Sequence, residues 1–373
     1  MFRKTFQYCL CILFLLFHVN GCVEHHENRT SGKLMVCYYI ATTYLPARQV
    51  PADMCTHIIY AFGQITKQGI QPSSPGDLQN YKSLVQLKQK NPNLKVLLSL
   101  QVGFPLVVRG GSAATMKSFS QSAVRFLSTY GFDGVDLDWE YPAAADKSSY
   151  SQFIKILRNE TVRANMLLSA AIPNNPNSFV GYDADCLARY LDFMTAMTYD
   201  FHIFNKKWGT QTGYNSPLFT PSGESKFLST SAMILYYLQV GIPANKLLMG
   251  IPLYGRSWTL SSASDHGLHA SAVGKGGPSP YRHLTGVYVY PDVCVALQNG
   301  ANNVLDGTYG AAYLYANKTW VAYDGTYTVN LKLSWMAKQN LGGVGVWAMH
   351  LDDLSGVCKT GLFPMLTAIK SAL

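Results

Sequence analysis

The chain has 373 residues, of which 48% are hydrophobic and 14% are charged, so it is long for a single ordinary domain. Its formal net charge is +9, but the basic residues are scattered along the chain. They form neither a basic run nor a pattern interleaved with aromatics, which argues against a nucleic-acid partner.

The first 21 residues have the pattern of a secretory signal peptide. Arg3 and Lys4 precede an apolar run from Tyr8 to Phe17, and small residues suited to signal peptidase follow at Val19 and Gly21. The run is shorter than the roughly 20 apolar residues that a membrane anchor needs. We therefore expect residues 1–21 to be removed and 22–373 to form a secreted, extracellular protein without a membrane anchor.

Two further features fit the secretory pathway. Eight cysteines are present, two of them inside the predicted signal, and an oxidising compartment favours disulfides whose connectivity the spacing alone does not give. Three sequons predict N-glycosylation at Asn28, Asn159 and Asn317.

Eight short runs rich in β-branched and aromatic residues predict strands. Several runs are continuous rather than alternating, as in parallel sheets covered on both faces. Amphipathic patterns between many of them, such as 115–130 and 148–165, predict helices. This alternation predicts an α/β fold, a closed (β/α)8 TIM barrel, with catalytic groups at the C-terminal strand ends. The predicted strands are 34–41, 57–65, 95–103, 134–141, 167–173, 193–201, 247–258 and 342–349.

The regular spacing is interrupted once. About eighty residues separate Trp258 from Gly342, too many for the connection between a strand and a helix. Short strand-like pieces occur within this stretch, at 286–290 and 311–315. We therefore predict an inserted α+β subdomain over 259–330, between the seventh and eighth barrel strands.

The most informative stretch is FDGVDLDWEYP at 132–142, in the fourth predicted strand. Asp136, Asp138 and Glu140 occupy alternate positions, so on a strand they share one face. Like charges this close are costly, and burial adds to the cost, which marks a candidate functional site. The alternative is an edge strand with a solvated acidic face.

This stretch resembles the DxxDxDxE signature of family 18 glycoside hydrolases, the animal chitinases and chitinase-like proteins. The resemblance extends over nearly the whole mature chain and implies a (β/α)8 barrel with an α+β insertion between strands seven and eight. Further matching stretches are LMVCYY (34–39), CTHIIYAF (55–62), LLSAAIP (167–173), MTYDFH (197–202), GYNSPLF (213–219), GIPLYGRSWTL (250–260) and GGVGVWAM (342–349).

The resemblance implies four catalytic residues. Glu140 matches the general acid, Asp138 the carboxylate that holds the acetamido N–H, and Asp136 its proton-sharing neighbour. Tyr199 matches the hydroxyl that contacts the acetamido oxygen. In this family the substrate's own carbonyl attacks the anomeric carbon, so the enzyme supplies no carboxylate nucleophile. No cofactor and no metal are implied.

Further residues match the substrate cleft and the family's disulfides. Trp347 matches the indole on which the cleaved sugar rests, since aromatic faces suit sugar C–H groups. The implied disulfides join Cys37 to Cys55 and Cys294 to Cys358. The remaining substrate-binding matches are Tyr38, Phe62, Met197, Asp200, Tyr254 and Arg256.

The chain also departs from the family pattern. Thr42 stands where the family has a tryptophan that stacks a sugar on the non-reducing side. The sequence 99–103, SLQVG, replaces Ser-x-Gly-Gly and the following tryptophan of the leaving-group side, so that Gly103 holds the second platform position. Tyr44, Phe104 and Trp208 are nearby candidates for replacing these platforms. In addition, His350 stands where relatives often have an acid.

The leading hypothesis is a monomeric, endo-acting chitinase that hydrolyses β-1,4-linked N-acetylglucosamine polymers or oligomers with retention. The alternative is a chitinase-like lectin that binds chitooligosaccharides with little or no hydrolysis. Glu140 favours the enzyme, because without a proton donor the leaving alcohol departs slowly. The lost stacking residues favour the lectin or a changed substrate, and activity on the chitobiosyl cores of glycoproteins is a third interpretation.

Overall fold

Eight parallel strands close into a barrel. The computed structural model describes residues 32–373. The described strands are β1 (Leu34–Tyr39), β2 (His57–Thr66), β3 (Gly69–Pro72), β4 (Lys95–Val102), β5 (Gly134–Leu137), β6 (Leu167–Ile172), β7 (Phe193–Ala196), β8 (Leu247–Pro252), β9 (Tyr254–Leu260), β10 (Ala272–Lys275), β11 (Val287–Val289), β12 (Asn302–Asp306), β13 (Ala311–Ala316), β14 (Thr319–Tyr323) and β15 (Gly343–Trp347). The barrel strands follow the order β1-β2-β4-β5-β6-β7-β8-β15, and β15 pairs back to β1.

Helices lie between most successive barrel strands, so the predicted (β/α)8 barrel is confirmed. The helix over 113–130 shows how the sequence determines where a helix starts and stops. The Ser112 hydroxyl accepts the Thr115 N–H at its start, and Gly131, with φ of 76°, ends it. The helices are α1 (Asp77–Val85), α2 (Phe104–Val108), α3 (Ala113–Tyr130), α4 (Lys147–Arg163), α5 (Ala184–Tyr190), α6 (Thr230–Gln239), α7 (Tyr290–Gln298), α8 (Thr326–Lys338) and α9 (Pro364–Ala372).

The barrel strands are apolar on both faces because each face is covered. On β4, Val96 and Leu98 belong to the layer between barrel and helices, whereas Leu97 belongs to the cluster inside the barrel. The same alternation on β5 sends Val135 and Leu137 outward and leaves Asp136 facing inward. The barrel interior is therefore a packed core.

A second, antiparallel sheet lies in the chain between β8 and β15, as the predicted insertion requires. Its strands follow the order β10-β9-β14-β13-β12, and β11 pairs with β9. The sheet spans 254–323, so it begins five residues before the range 259–330 predicted for the insertion. The reason is that β9 directly follows β8, with only Leu253 between them.

Both disulfides implied by the family resemblance are present, Cys37 with Cys55 and Cys294 with Cys358. Cys186 is a buried free thiol, and burial raises its pKa to about 11, which keeps it protonated at neutral pH. Asn159 and Asn317 are exposed, as glycan acceptors must be. The predicted signal at 1–21 and Asn28 lie outside the described residues. No helix within 32–373 is long and apolar enough to cross a membrane.

A buried ion pair fixes helix α8 to the barrel. The Lys332 ammonium donates to Asp324 Oδ1 at 2.7 Å and to Ser216 Oγ at 2.8 Å, and the lysine side chain is completely buried. Burial lowers the pKa of Lys332, and the adjacent Asp324 carboxylate opposes that shift. The pair is therefore costly to break on one side only.

We predict that Lys332→Met destabilises the fold by about 3–5 kcal/mol, because Asp324 is left charged and buried without its partner. The measurement is guanidinium-induced unfolding, compared with Lys338→Met, which removes an exposed lysine from the same helix. Adding Asp324→Asn to Lys332→Met should restore part of the loss. Equal midpoints for the two lysine variants would show that the pair contributes nothing.

Candidate active site

The three acids of the fourth barrel strand run from the barrel interior to the rim. Asp136 lies on β5 and is inaccessible to solvent, Asp138 is 3% exposed just beyond the strand, and Glu140 is exposed at the mouth. The Asp138 N–H donates to the Leu100 carbonyl of β4 at 2.9 Å, which continues the strand pairing past Leu137. The three acids therefore share one face of the extended chain, as the side-chain period of two predicts. The edge-strand alternative is wrong, because β5 lies between β4 and β6.

Asp136 is held by three hydroxyl donors. Ser99 Oγ donates to Oδ2 at 2.8 Å, Ser169 Oγ donates to Oδ1 at 2.7 Å, and the Tyr38 hydroxyl donates to Oδ2 at 3.3 Å. Burial raises the pKa of Asp136, and these three hydrogen bonds act against that rise. A hydrogen-bonded carboxyl is therefore fixed beneath the site.

Asp138 has the more strongly perturbed carboxyl of the two. Burial raises its pKa well above the usual range, and the negative charges of Glu140 and Asp136 raise it further. Asp138 Oδ1 is buried and makes no hydrogen bond to any described residue. Asp136 has three hydroxyl donors, whereas the Gln101 amide is the one described side-chain donor that lowers the pKa of Asp138, so a proton resides more readily on Asp138 than on Asp136.

Glu140 stands at the mouth of the site. Partial burial raises the pKa of its carboxyl, while hydrogen bonds from Tyr141 and Gln101 lower it. An acid with a raised pKa retains its proton closer to neutral pH, which is what general acid catalysis requires.

A second cluster of side chains lies just after β7 and at the start of β9. The Arg256 guanidinium grips Asp200 through two hydrogen bonds of 2.7 Å and lies 5.2 Å from the centre of the Tyr254 ring. Tyr199 meets Tyr254 edge to face. Burial raises the pKa of Tyr199 far above its usual value, so its hydroxyl remains a neutral hydrogen-bond donor. Asp200 is thus neutralised by Arg256, whereas no cation within 32–373 forms an ion pair with Asp138 or Glu140.

Trp347, the last residue of β15, forms the aromatic floor. Its ring is half-buried and packs against Tyr38 at 5.4 Å and Phe62 at 5.9 Å between ring centres. Tyr38 and Phe62 support the indole from behind and do not line the cavity itself. Tyr38 therefore contacts Asp136 and Trp347 rather than open space.

These groups surround a cavity of about 340 Å³ at the C-terminal ends of the barrel strands. The structure brings together eight of the eleven predicted catalytic and substrate-binding residues on its wall, and the other three, Asp136, Tyr38 and Phe62, lie directly behind it. The eight are Asp138, Glu140, Met197, Tyr199, Asp200, Tyr254, Arg256 and Trp347.

Sequence reasoning missed several residues of this site. Gln101 belongs to a stretch that departs from the family pattern, yet it lines the cavity, and its side-chain amide lowers the pKa of both Asp138 and Glu140. Asn174 also lines the cavity and donates to the Tyr199 carbonyl at 2.7 Å. Ser99 and Ser169 could have been predicted from the sequence. They are small polar residues at inward positions of the two strands that flank β5, where they can donate to Asp136.

None of the three nearby aromatics, Tyr44, Phe104 and Trp208, lines the cavity. Phe104 is fully buried and stacks on Trp139 in the core. Tyr44 and Trp208 are 61% and 72% exposed, but neither lines the cavity. At Gly103, where φ is 93°, an added Cβ would lie 2.0 Å from the Ile65 carbonyl oxygen. That backbone has no room for any side chain.

Comparison with known proteins agrees with this architecture. The model of glycosyl hydrolases family 18 matches residues 34–352. The chain belongs to this family. The chain is similar to chitotriosidase-1 of Mus musculus, with 34% identity over an alignment that covers 92% of this chain and 78% of the relative.

Solved structures resemble the barrel closely. An immunomodulatory active chitinase from Trichuris suis aligns with a TM-score of 0.85 at 30% identity, covering 91% of this chain and all of that one. Human YKL-39, described as a pseudo-chitinase with retained chitooligosaccharide binding, aligns with a TM-score of 0.84 at 27% identity, covering 91% and 99%. The family 18 barrel is therefore shared by active and inactive proteins.

We predict that Gln101→Leu raises the pKa of Glu140, because the amide donor that favours the ionised carboxylate is lost. The chain has five glutamates, so selective ¹³C labelling makes the titration readable by NMR, with Glu140→Gln assigning the resonance. Gln211→Leu, which removes an amide outside the cavity, is the control. An unchanged or lower pKa in Gln101→Leu would contradict the contact.

Proposed function

We propose that this protein is a secreted chitinase that hydrolyses β-1,4-linked N-acetylglucosamine chains with retention of configuration. The observation that carries the proposal is the position of Glu140, a carboxyl of raised pKa at the mouth of the cavity that contains Asp138, Tyr199 and Trp347. Family membership supplies the substrate class.

The first step breaks the glycosidic bond with the help of the substrate. The sugar rests on Trp347, Asp138 holds its acetamido N–H, and the Tyr199 hydroxyl donates to the acetamido oxygen. That oxygen attacks the anomeric carbon and forms an oxazolinium ring, while Glu140 gives its proton to the departing oxygen. A carboxyl oxygen of Asp138 keeps accepting the N–H of this ring nitrogen, which holds the ring in position.

The second step opens that ring. Glu140, now a carboxylate, takes a proton from water, and the resulting hydroxide oxygen bonds to the anomeric carbon as the acetamido oxygen leaves. Two displacements on opposite faces restore the original β configuration. Because the first step needs protonated Glu140, hydrolysis should decline as the pH rises through its raised pKa.

A chitinase-like lectin is the second candidate, and one specific observation favours it. Both aromatic platforms that flank the family's cleavage site are absent, at Thr42 and Gly103, so an extended polymer has fewer stacking surfaces here. Human YKL-39 shows that this fold supports binding without hydrolysis. Glu140 and the intact Asp136–Asp138 pair favour the enzyme.

We predict that Glu140→Gln lowers hydrolysis of chitooligosaccharides at least 10²–10⁴-fold, roughly the contribution of a general acid, while binding persists. Turnover is measured by product chromatography and binding by tryptophan fluorescence. Glu160→Gln, which removes a glutamate from helix α4 outside this cavity, should leave both unchanged. If the wild-type protein binds but does not hydrolyse, the lectin is the correct function.

We also predict that hydrolysis requires the 2-acetamido group of the cleaved sugar, because the protein offers no carboxylate nucleophile of its own. Fully deacetylated oligomers should resist, and the first product released from acetylated ones should be the β-anomer, as followed by ¹H NMR. Comparable rates on acetylated and deacetylated oligomers, or initial release of the α-anomer, would rule out substrate assistance.

A further inference from the structure

One side of the cavity wall is aliphatic. Its five residues come from three places: the end of β1, the segment 284–289 of the insertion, and the turn after β15. We call this surface the apolar wall; it consists of Ile40, Leu284, Val287, Val289 and Leu351.

The apolar wall faces the carboxylates. In an eight-stranded barrel the fourth and eighth strands lie opposite each other, so β15 and its neighbour β1 stand across the cavity from β5. Val287 and Val289 alternate with Tyr288 on β11 and therefore point to one side. The cavity consequently has an acidic side and an aliphatic side, with Trp347 on its floor.

The five side chains of the apolar wall cannot donate or accept a hydrogen bond to a sugar. His350 lies beside Leu351 and lines the cavity, and its Nδ1 is buried without a hydrogen bond to any described residue. Burial and the nearby Arg282 charge lower the pKa of His350 to about 4, so the imidazole ring is uncharged at neutral pH. Sugar hydroxyls buried against aliphatic carbon would lose hydrogen bonds to water without replacement.

The insertion part of the wall is held firmly in place. One oxygen of the buried Asp292 carboxylate accepts the N–H groups of Tyr281 and Arg282, and the other accepts that of Val289. The Arg282 guanidinium lies 3.5 Å from the centre of the Tyr44 ring, which links the insertion to the segment after β1. Leu284 is nevertheless 42% exposed, so preformed apolar surface faces the open cavity.

We infer that the apolar wall binds an aliphatic acyl chain, longer than acetyl, carried on the nitrogen of the non-reducing terminal sugar. The inference rests on the proposed function, since the wall is continuous with the proposed sugar site. Ile40 indicates which end of the oligosaccharide carries the acyl chain. It lies two residues before Thr42, the position that the family resemblance assigns to the non-reducing side. The ligand class is thus an N-acylated glucosamine oligomer.

The test measures binding to the Glu140→Gln protein, in which the ligand is not consumed. The probes are tetramers of N-acetylglucosamine whose non-reducing terminal nitrogen carries acyl chains of two, four, six or eight carbons. Isothermal titration calorimetry is performed below the micellar concentration. Affinity should rise about two- to fourfold per added methylene until the wall is covered, as expected for buried apolar surface.

Two variants, each added to Glu140→Gln, locate the effect. Leu284→Ser replaces a partly exposed leucine of the wall and should weaken the dependence on chain length, measured as the ratio of the affinities for the eight-carbon and two-carbon probes. Leu305→Ser, which replaces a leucine 50% exposed on β12 outside the cavity, should leave the dependence intact.

The outcomes separate this inference from the proposed function. An affinity independent of chain length, or a dependence that Leu284→Ser leaves unaltered, would overturn the acyl site while the sugar site stands. An equal gain when the same chain is placed at the reducing end would overturn the assigned direction. If even the two-carbon tetramer fails to bind, the proposed function fails, and the acyl site fails with it.

Discussion

The burial of carboxylates along one face of β5 is the constraint on which the surrounding structure depends. A carboxyl group loses its hydration inside a barrel, so the neighbouring strands must supply donors, and Ser99 and Ser169 do so from either side. On the outer face of the same strand, Val135 and Leu137 seal the barrel against the helices. The strand is thus polar toward the reaction and apolar toward the core, within four residues.

The burial of these carboxylates also determines which of the two aspartates, Asp136 or Asp138, is more easily protonated. Hydroxyl donors favour ionisation of Asp136, whereas Asp138 has no equivalent donors and is repelled by acids on both sides. The difference arises from depth and from neighbours, since both residues are aspartates on one strand. Asp200, 27% exposed at its side chain, is instead paired with the Arg256 guanidinium through two hydrogen bonds. Three aspartates in one site therefore have three different electrostatic environments.

The fold and the acidic row could be predicted because both follow from periodicity. Continuous apolar runs identify barrel strands, and alternation places Asp136, Asp138 and Glu140 on one face whatever the rest of the chain does. The disulfides and Trp347 came from family resemblance, not from spacing. The interruption after Trp258 revealed the insertion but placed its start slightly late, because β9 continues the apolar run of β8 almost without a break.

The remaining features could not be predicted because they depend on contacts distant in sequence. Gln101 becomes a partner of Glu140 only when β4 and β5 pair, and nothing local to residue 101 indicates this. Likewise, Tyr38 and Phe62 belong to aromatic motifs, but only packing shows that they lie behind Trp347. The aliphatic side of the cavity joins Ile40 to Leu284, which are separated by more than half of the chain and meet only through the insertion.

The conformation of Gly103 limits where this rim can gain a sugar contact. With φ of 93° and no space for a Cβ, the position accepts glycine alone, so a substitution there cannot add an aromatic ring while the backbone keeps its path. The backbone near Ile65 would have to move first, and that change alone adds no contact. A mutation that extends sugar binding would therefore succeed more readily elsewhere on the rim than here.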